Sequence, residues 1–157
     1  MPDVMEIKIN HIKNLQFDAY SSSNPDYKII MDTSKDVGGN DEGIKPTELL
    51  LVSLAGCSSM DIISILTKKR QAIESFDVTV RGQRAESHPM VFTKISIIYN
   101  FKGVNIDKEA VDRAIELSKD KYCSVWAMLQ KAADIEFSYN IAWNLMIYGD
   151  IKFVKSR

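Results

Sequence analysis

Residues 46–70, "PTELLLVSLAGCSSMDIISILTKKR", set the strongest limit on how this chain can fold. The helix start is explicit. Pro46 suits the first helical position, and Glu48 suits the third, where a carboxylate reaches back to free backbone N–H groups. Beyond it, residues 49–52, 54, 55, 57, 60, 62, 63, 65 and 66 are apolar and cover nearly every face. A helix of that kind must be enclosed on all sides. A chain of 157 residues has little other mass with which to surround it, so a second subunit is expected to cover part of it. Ser53, Ser58, Ser59, Asp61 and Ser64 interrupt the run, which therefore reads as a buried helix and not as a membrane span.

The remaining chain supplies strands and shorter helices. "MEIKIN" and "LQFDAYS" alternate, "YKIIM" is a short apolar run, and "SSNPD" predicts a turn between the last two. "DTSKDVGGNDEG" (32–43) is polar and glycine-rich and predicts a mobile loop. "FDVTVRGQRA" and "VFTKISIIYNF" alternate around the turn "ESHPM", which predicts an antiparallel hairpin. A helical period follows in "NIDKEAVDRAIELSKDKY", with Asp107 as N-cap and Ile106 with Val111 as a hydrophobic staple. "SVWAMLQKAA" predicts a short helix begun by Ser124, and "IEFSYNI" returns to strand. The order βββ–α–ββ–α–α–β gives one α+β domain over 1–157, helices on antiparallel sheet, with the tail 142–157 unassigned except for a possible turn at "YGD".

Charge excludes some partners. The formal net charge is -1, and the densest basic cluster, "KKR" at 68–70, reads as a solvated last turn that complements the helix dipole. Nucleic acid is not an expected partner. The N-terminus is mixed and charged without a secretory pattern, so a cytoplasmic protein is expected, where disulfides are usually transient or catalytic.

The chain has two cysteines, Cys57 inside the apolar helix and Cys123 in "DKYCSVWAML". Three readings stay open from the residues: two buried thiols that pack as small hydrophobes, a structural disulfide, or a redox pair in which one thiolate attacks an oxidant and the other resolves the sulfenic acid. Cys123 is placed just before a helix, where free N–H groups are expected to favour its thiolate. Asp61 falls one turn after Cys57 on the same face, where it reads first as a hydrogen-bonded helix carboxylate. With two cysteines, His11 among strand residues and His88 before Pro89, no metal-ligand spacing is present and no metal site is expected. Trp126 reads as core.

"KPTELLLVSLAGCSSMDIISILTKKR" followed by "KYCSVWAML" resembles the OsmC/Ohr family of hydroperoxide reductases, in the pattern of its YhfA-like branch. The likeness spans about residues 12–140. It implies an intertwined homodimer in which antiparallel sheets wrap two long central helices. It implies Cys57 as the peroxidatic thiol, Cys123 as the resolving thiol and Glu48 as a candidate site residue at the helix start. The implied substrates are organic hydroperoxides and the implied reductants are dithiols or small thiols, with no metal, flavin or haem as cofactor. The family arginine that holds the thiolate comes from the N-terminal strands. This chain has no arginine before Arg70, and Lys13 occupies that region; the helix-start carboxylate stands at Glu48 and not at Thr47. The expected function is a thiol-dependent peroxidase in oxidative-stress defence. The alternative is a dimer of the same fold that binds a small apolar ligand or thiol without turnover.

Overall fold

The computed structural model describes residues 4–143. The "YGD" turn and the rest of the tail beyond Trp143 lie outside the described residues. The chain divides into two compact units, one through Leu50 and one from Leu51.

The first unit is an antiparallel meander of β1 (Ile7–Lys13), β2 (Gln16–Ser21) and β3 (Asn24–Met31), in that spatial order. The turn predicted over "SSNPD" is tighter than expected, because Asn24 to Asp26 already belong to β3. Pro25 is tolerated there because it falls in the register shift between Asn24 and Lys28, where β3 has no paired partner in β2. Asp18 fastens the sheet: its carboxylate accepts from Asn10 Nδ2 and from Lys28 Nζ, both at 2.7 Å. The segment 32–43, expected as a mobile loop, is organised around one side chain. Asp32 is 1% exposed, and its carboxylate accepts from the backbone N–H groups of Thr33, Asn40 and Glu42 at 2.8–3.3 Å. Burial pushes the Asp32 carboxyl up, but these donors outweigh it and hold it below the usual carboxylate range. A polar glycine-rich stretch can thus be a built turn when one carboxylate satisfies its orphan N–H groups.

Helix α1 (Pro46–Lys68) begins as predicted. Glu48 Oε2 accepts from the Lys45 N–H at 2.9 Å, so the carboxylate closes the first turn. The helix ends on Arg70 at φ 55°, with the Gln71 N–H returning to the Leu66 carbonyl at 3.0 Å, a left-handed stop that satisfies late carbonyls.

In the second unit, β4 (Ala72–Arg84), β5 (Phe92–Val104) and β6 (Asp134–Trp143) form one sheet in that order. Strict alternation along β5 sends Ile95, Ile97, Tyr99 and Phe101 inward, each at most 1% exposed. Leu54, Ser58, Ile62 and Leu66, spaced by one helical turn, form the buried stripe of α1 and share the core with these side chains. Other α1 residues stay uncovered: Val52 is 51% and Met60 77% exposed. Helix α2 (Lys108–Leu117) buries Ala110, Val111, Ala114 and Ile115, one stripe in the same core. Asp107 caps it by accepting from the Glu109 N–H at 2.9 Å, and both staple residues, Ile106 and Val111, are buried. A π-helical turn, Ser118–Tyr122, then leads to the short helix α3 (Ser124–Leu129).

One element corrects the expectation of a purely antiparallel architecture: β6 pairs with β5 in parallel, in register from Lys94↔Asp134 to Gly103↔Trp143. The two helices between these strands carry the chain back across the sheet, which is the connection a parallel neighbour needs.

Gly103 tests this packing. A Cβ there would run into the carbonyl oxygen of Ala72 on the neighbouring strand. Gly103→Ala is expected to lower stability by about 1–3 kcal/mol, read from the urea midpoint with an unchanged slope. A midpoint equal to the parent's would show that the β4–β5 hairpin yields more easily than its geometry implies.

Candidate functional site

Three elements converge on the thiols. Cys57 sits in the middle of α1, next to the buried stripe residue Ser58. Cys123 lies between the π-helical turn and α3 and serves as N-cap of α3. Asp61 is one turn beyond Cys57. The two Sγ atoms and an Asp61 carboxylate oxygen lie within 4.8 Å of one another. Both cysteines are free thiols; Cys57 is half-buried and Cys123 is 2% exposed. A disulfide needs about 2 Å between sulfurs, so side-chain rotation must close the remaining gap.

The surroundings of Cys123 explain its position. Its Sγ accepts from the Trp126 N–H at 3.3 Å, and its own N–H donates to the Ser118 carbonyl at 2.8 Å, closing the π-helical turn. Ser118 also acts through its side chain: Oγ donates to Asp61 Oδ2 at 3.0 Å. One buried serine therefore holds the backbone of Cys123 and the carboxylate of Asp61 together. Such π-helical turns often accompany functional sites because they displace one residue from the regular ladder.

The expected thiolate at Cys123 does not form. Burial foremost, then the hydrogen bond with Cys57 and the charges of Cys57 and Asp61, push its thiol up to about 12, while the Trp126 N–H pulls the other way. A six-residue helix aims one N–H at the sulfur, and desolvation outweighs it. Cys57 is the more accessible thiol.

Behind the thiols, Tyr99 Oη donates to Ser58 Oγ at 2.8 Å, and Ser58 Oγ donates in turn to the Leu54 and Ala55 carbonyls at 3.0 and 3.1 Å. Burial pushes the Tyr99 phenol up to about 12; the Ser58 hydrogen bond opposes it, and the thiols Cys123 and Cys57 add to it. A cavity of about 390 Å³ opens beside the site, lined by Asp61, Ser64, Ile65, Lys68, Lys69 and Tyr122 among others.

The other residues singled out by sequence stand as follows. Glu48 is occupied in the first-turn cap. Lys13 is paired with Glu42 at 2.9 Å. His11 Nε2 lies 2.8 Å from the Asn14 carbonyl oxygen. Trp126 is core, 2% exposed and edge-on to Phe137. Sequence reasoning missed Ser58, Ser118 and Tyr99. The signal for the two serines was there: each is a polar residue on an otherwise apolar helical stripe, Ser58 between Leu54 and Ile62, Ser118 after Ala114 and Ile115.

A largely apolar helix that presents one thiol to a second thiol held at the end of a π-helical turn defines a dithiol α+β protein. The model of the OsmC-like protein family matches residues 38–138, and the chain belongs to the OsmC family. Protein YhfA of Escherichia coli K12 is 35% identical over 137 residues, which cover 87% of this chain and 98% of YhfA. The crystal structure of a hypothetical protein from Aquifex aeolicus VF5 is 31% identical with a TM-score of 0.78, covering 91% of this chain and 99% of that one. An organic hydroperoxide resistance protein from Elizabethkingia anophelis shares the fold at a TM-score of 0.66 and 14% identity, over 88% of this chain and 96% of its own.

Two outcomes test the site. Ser58→Ala leaves the buried Tyr99 hydroxyl unpaired, whereas Tyr99→Phe leaves Ser58 bonded to its own helix. Ser58→Ala is expected to cost about 1–3 kcal/mol and Tyr99→Phe about 1 kcal/mol, measured by chemical denaturation; the reverse order would break this account. At pH 7, iodoacetamide is expected to label Cys57 at least about tenfold faster than Cys123, because so little of a thiol raised to about 12 is thiolate there. Equal labelling, resolved by peptide mass spectrometry, would contradict the burial argument.

Proposed function

We propose that the protein is a thiol-dependent reductase of organic hydroperoxides that works as a cytoplasmic homodimer. The observation that carries this reading is the approach of two free thiols and a carboxylate to within 4.8 Å in a chain of the OsmC family. Hydroperoxide resistance in the name of a fold neighbour points to the same chemistry.

In this reading the Cys57 thiolate attacks the distal oxygen of ROOH. An S–O bond forms, the O–O bond breaks, and RO⁻ takes a proton to leave as alcohol. Cys57 becomes a sulfenic acid. Cys123 then attacks its sulfur: the S–S bond forms, the S–O bond breaks, and hydroxide leaves as water with the Cys123 proton. Asp61, within reach of both sulfurs, is the base that passes this proton on. The burial of Cys123 suits its later role, since it stays out of reach of peroxide while Cys57 reacts first. An external dithiol reduces the disulfide by exchange. Glu48 contributes by fixing where α1 begins, and so is a positioning residue.

Homodimer formation is supported by the apolar surface that one chain leaves bare. Ile7, Ile9 and Tyr27 in the first unit and Val52 and Met60 on α1 are each more than half exposed. Lys13, engaged with Glu42, favours a second reading, a dimer that binds a small apolar ligand or thiol without turnover.

Consumption of cumene hydroperoxide in the presence of dithiothreitol separates the readings. The parent is expected to turn over. Cys57→Ser is expected to fall to the background of the reductant alone. Cys123→Ser, given one equivalent of peroxide after the reductant has been removed, is expected to accumulate a sulfenic acid that dimedone traps, whereas the parent forms the disulfide. Equal rates for the parent and Cys57→Ser would remove the peroxidase reading.

A further inference from the structure

The constellation of Cys57, Cys123 and Asp61 has the features of a metal-ligand set, although the sequence spacing gave no such expectation. The three donor atoms come from two distant segments and meet only in the folded chain, all within 4.8 Å of one another. Tetrahedral zinc places its ligands about 2.0–2.3 Å from the ion, and so about 3.3–3.8 Å from one another. From the 4.8 Å bound the cluster needs a contraction of at most about 1–1.5 Å to reach that geometry, in side chains that stem from one helix and one turn.

Two hydrogen bonds around the donors fit the same purpose. The Trp126 N–H donates to Cys123 Sγ at 3.3 Å, and Ser118 Oγ donates to Asp61 Oδ2 at 3.0 Å. Outer hydrogen bonds of this type orient ligands and fix their basicity. The cavity of about 390 Å³ meets the cluster at Asp61, the one donor that lines it, and a fourth ligand would come from that side. Two thiolates and a carboxylate would exceed the ion's charge by one, and Lys68 and Lys69 stand in the same cavity to offset it.

We propose that Cys57, Cys123 and Asp61 form a three-ligand site for a thiophilic divalent cation of the zinc type, with its fourth position open to the cavity. Binding exchanges two thiol protons for the ion and involves no electron transfer. Two softer sulfur donors and one oxygen select zinc, cobalt or cadmium over magnesium and calcium. Metal and disulfide need the same sulfurs, so occupancy and oxidation exclude each other. That consequence for turnover rests on the peroxidase reading, whereas metal binding itself does not.

The test uses the reduced full chain, stripped with a chelator and titrated with cobalt(II), then with zinc against a chromophoric competitor. One ion per chain is expected, with a thiolate-to-cobalt charge-transfer band and protection of both thiols from a disulfide reagent at equimolar zinc. Asp61→Asn is expected to keep the band and weaken affinity at least about tenfold, since a direct ligand counts for no less than the outer partners whose loss costs that much. Cys57→Ser and Cys123→Ser are each expected to lose at least about half of the band, one of its two thiolates being gone, and the parent loses it entirely after oxidation with one equivalent of diamide. Absence of the band and of thiol protection in the parent would overturn the proposal, and so would unaltered zinc affinity in Cys57→Ser. The cumene hydroperoxide assay is a separate readout, so the two ideas can fail independently.

Discussion

Everything at the site depends on how α1 is rotated about its own axis. The helix is apolar on most faces, so hydrophobic burial by itself specifies its rotation poorly; several faces would gain about the same from contact with the sheet. The pin is polar. Ser58 lies on the buried stripe between Leu54 and Ile62, and Tyr99 of β5 donates to it at 2.8 Å. Any other rotation would leave the Tyr99 hydroxyl buried and unpaired, which costs about as much as burying a side chain gains. Cys57 precedes Ser58 by one residue and Asp61 follows it within a turn, so the hydrogen bond that fixes Ser58 also sets where the thiol and the carboxylate point.

The second thiol is placed by a different device. Helix α2 ends against the core, and a π-helical turn inserts Ser118–Tyr122 before α3. Its closing bond, from the Cys123 N–H to the Ser118 carbonyl, and the Ser118 hydroxyl bond to Asp61 tie the turn to α1. Cys123 thus reaches the site as a capping residue, where general rules favour a thiolate. Two effects compete there. One backbone N–H at 3.3 Å stabilises negative charge on sulfur, and removal of the sulfur from water opposes it. Burial at 2% exposure prevails, and the thiol stays protonated. A pair with one accessible and one buried thiol is asymmetric by construction, and asymmetry is what a two-step oxidation requires.

Much of this was legible in the residues. Pro46 and Glu48 marked the start of α1, Asp107 the start of α2, and the alternation of β4 and β5 their hairpin, because each signal is local and made by the residue that performs it. The parallel pairing of β6 was not legible: strand residues look alike in either direction, and only the helical crossover decides. Nor was the order within 32–43, where the polar composition of a loop hid a single carboxylate that organises it. The inversion at Cys123 had the same origin. Its position before a helix could be read, but its burial depends on Trp126 and the core around it, which are distant contributions.

The approach of Asp61 shows best why sequence spacing undercounts sites. Metal-ligand patterns are recognised when donors fall close together along the chain, and here the two sulfurs are separated by two strands and a helix. What brings them together is the apolar core, which has no stake in the chemistry of either. Once gathered, two sulfurs and a carboxylate oxygen within 4.8 Å can share an ion or, with modest rotation, join sulfur to sulfur. The same closeness therefore serves oxidation and coordination, and the protonation of Cys123 is a common barrier to both, since each begins by taking its proton away.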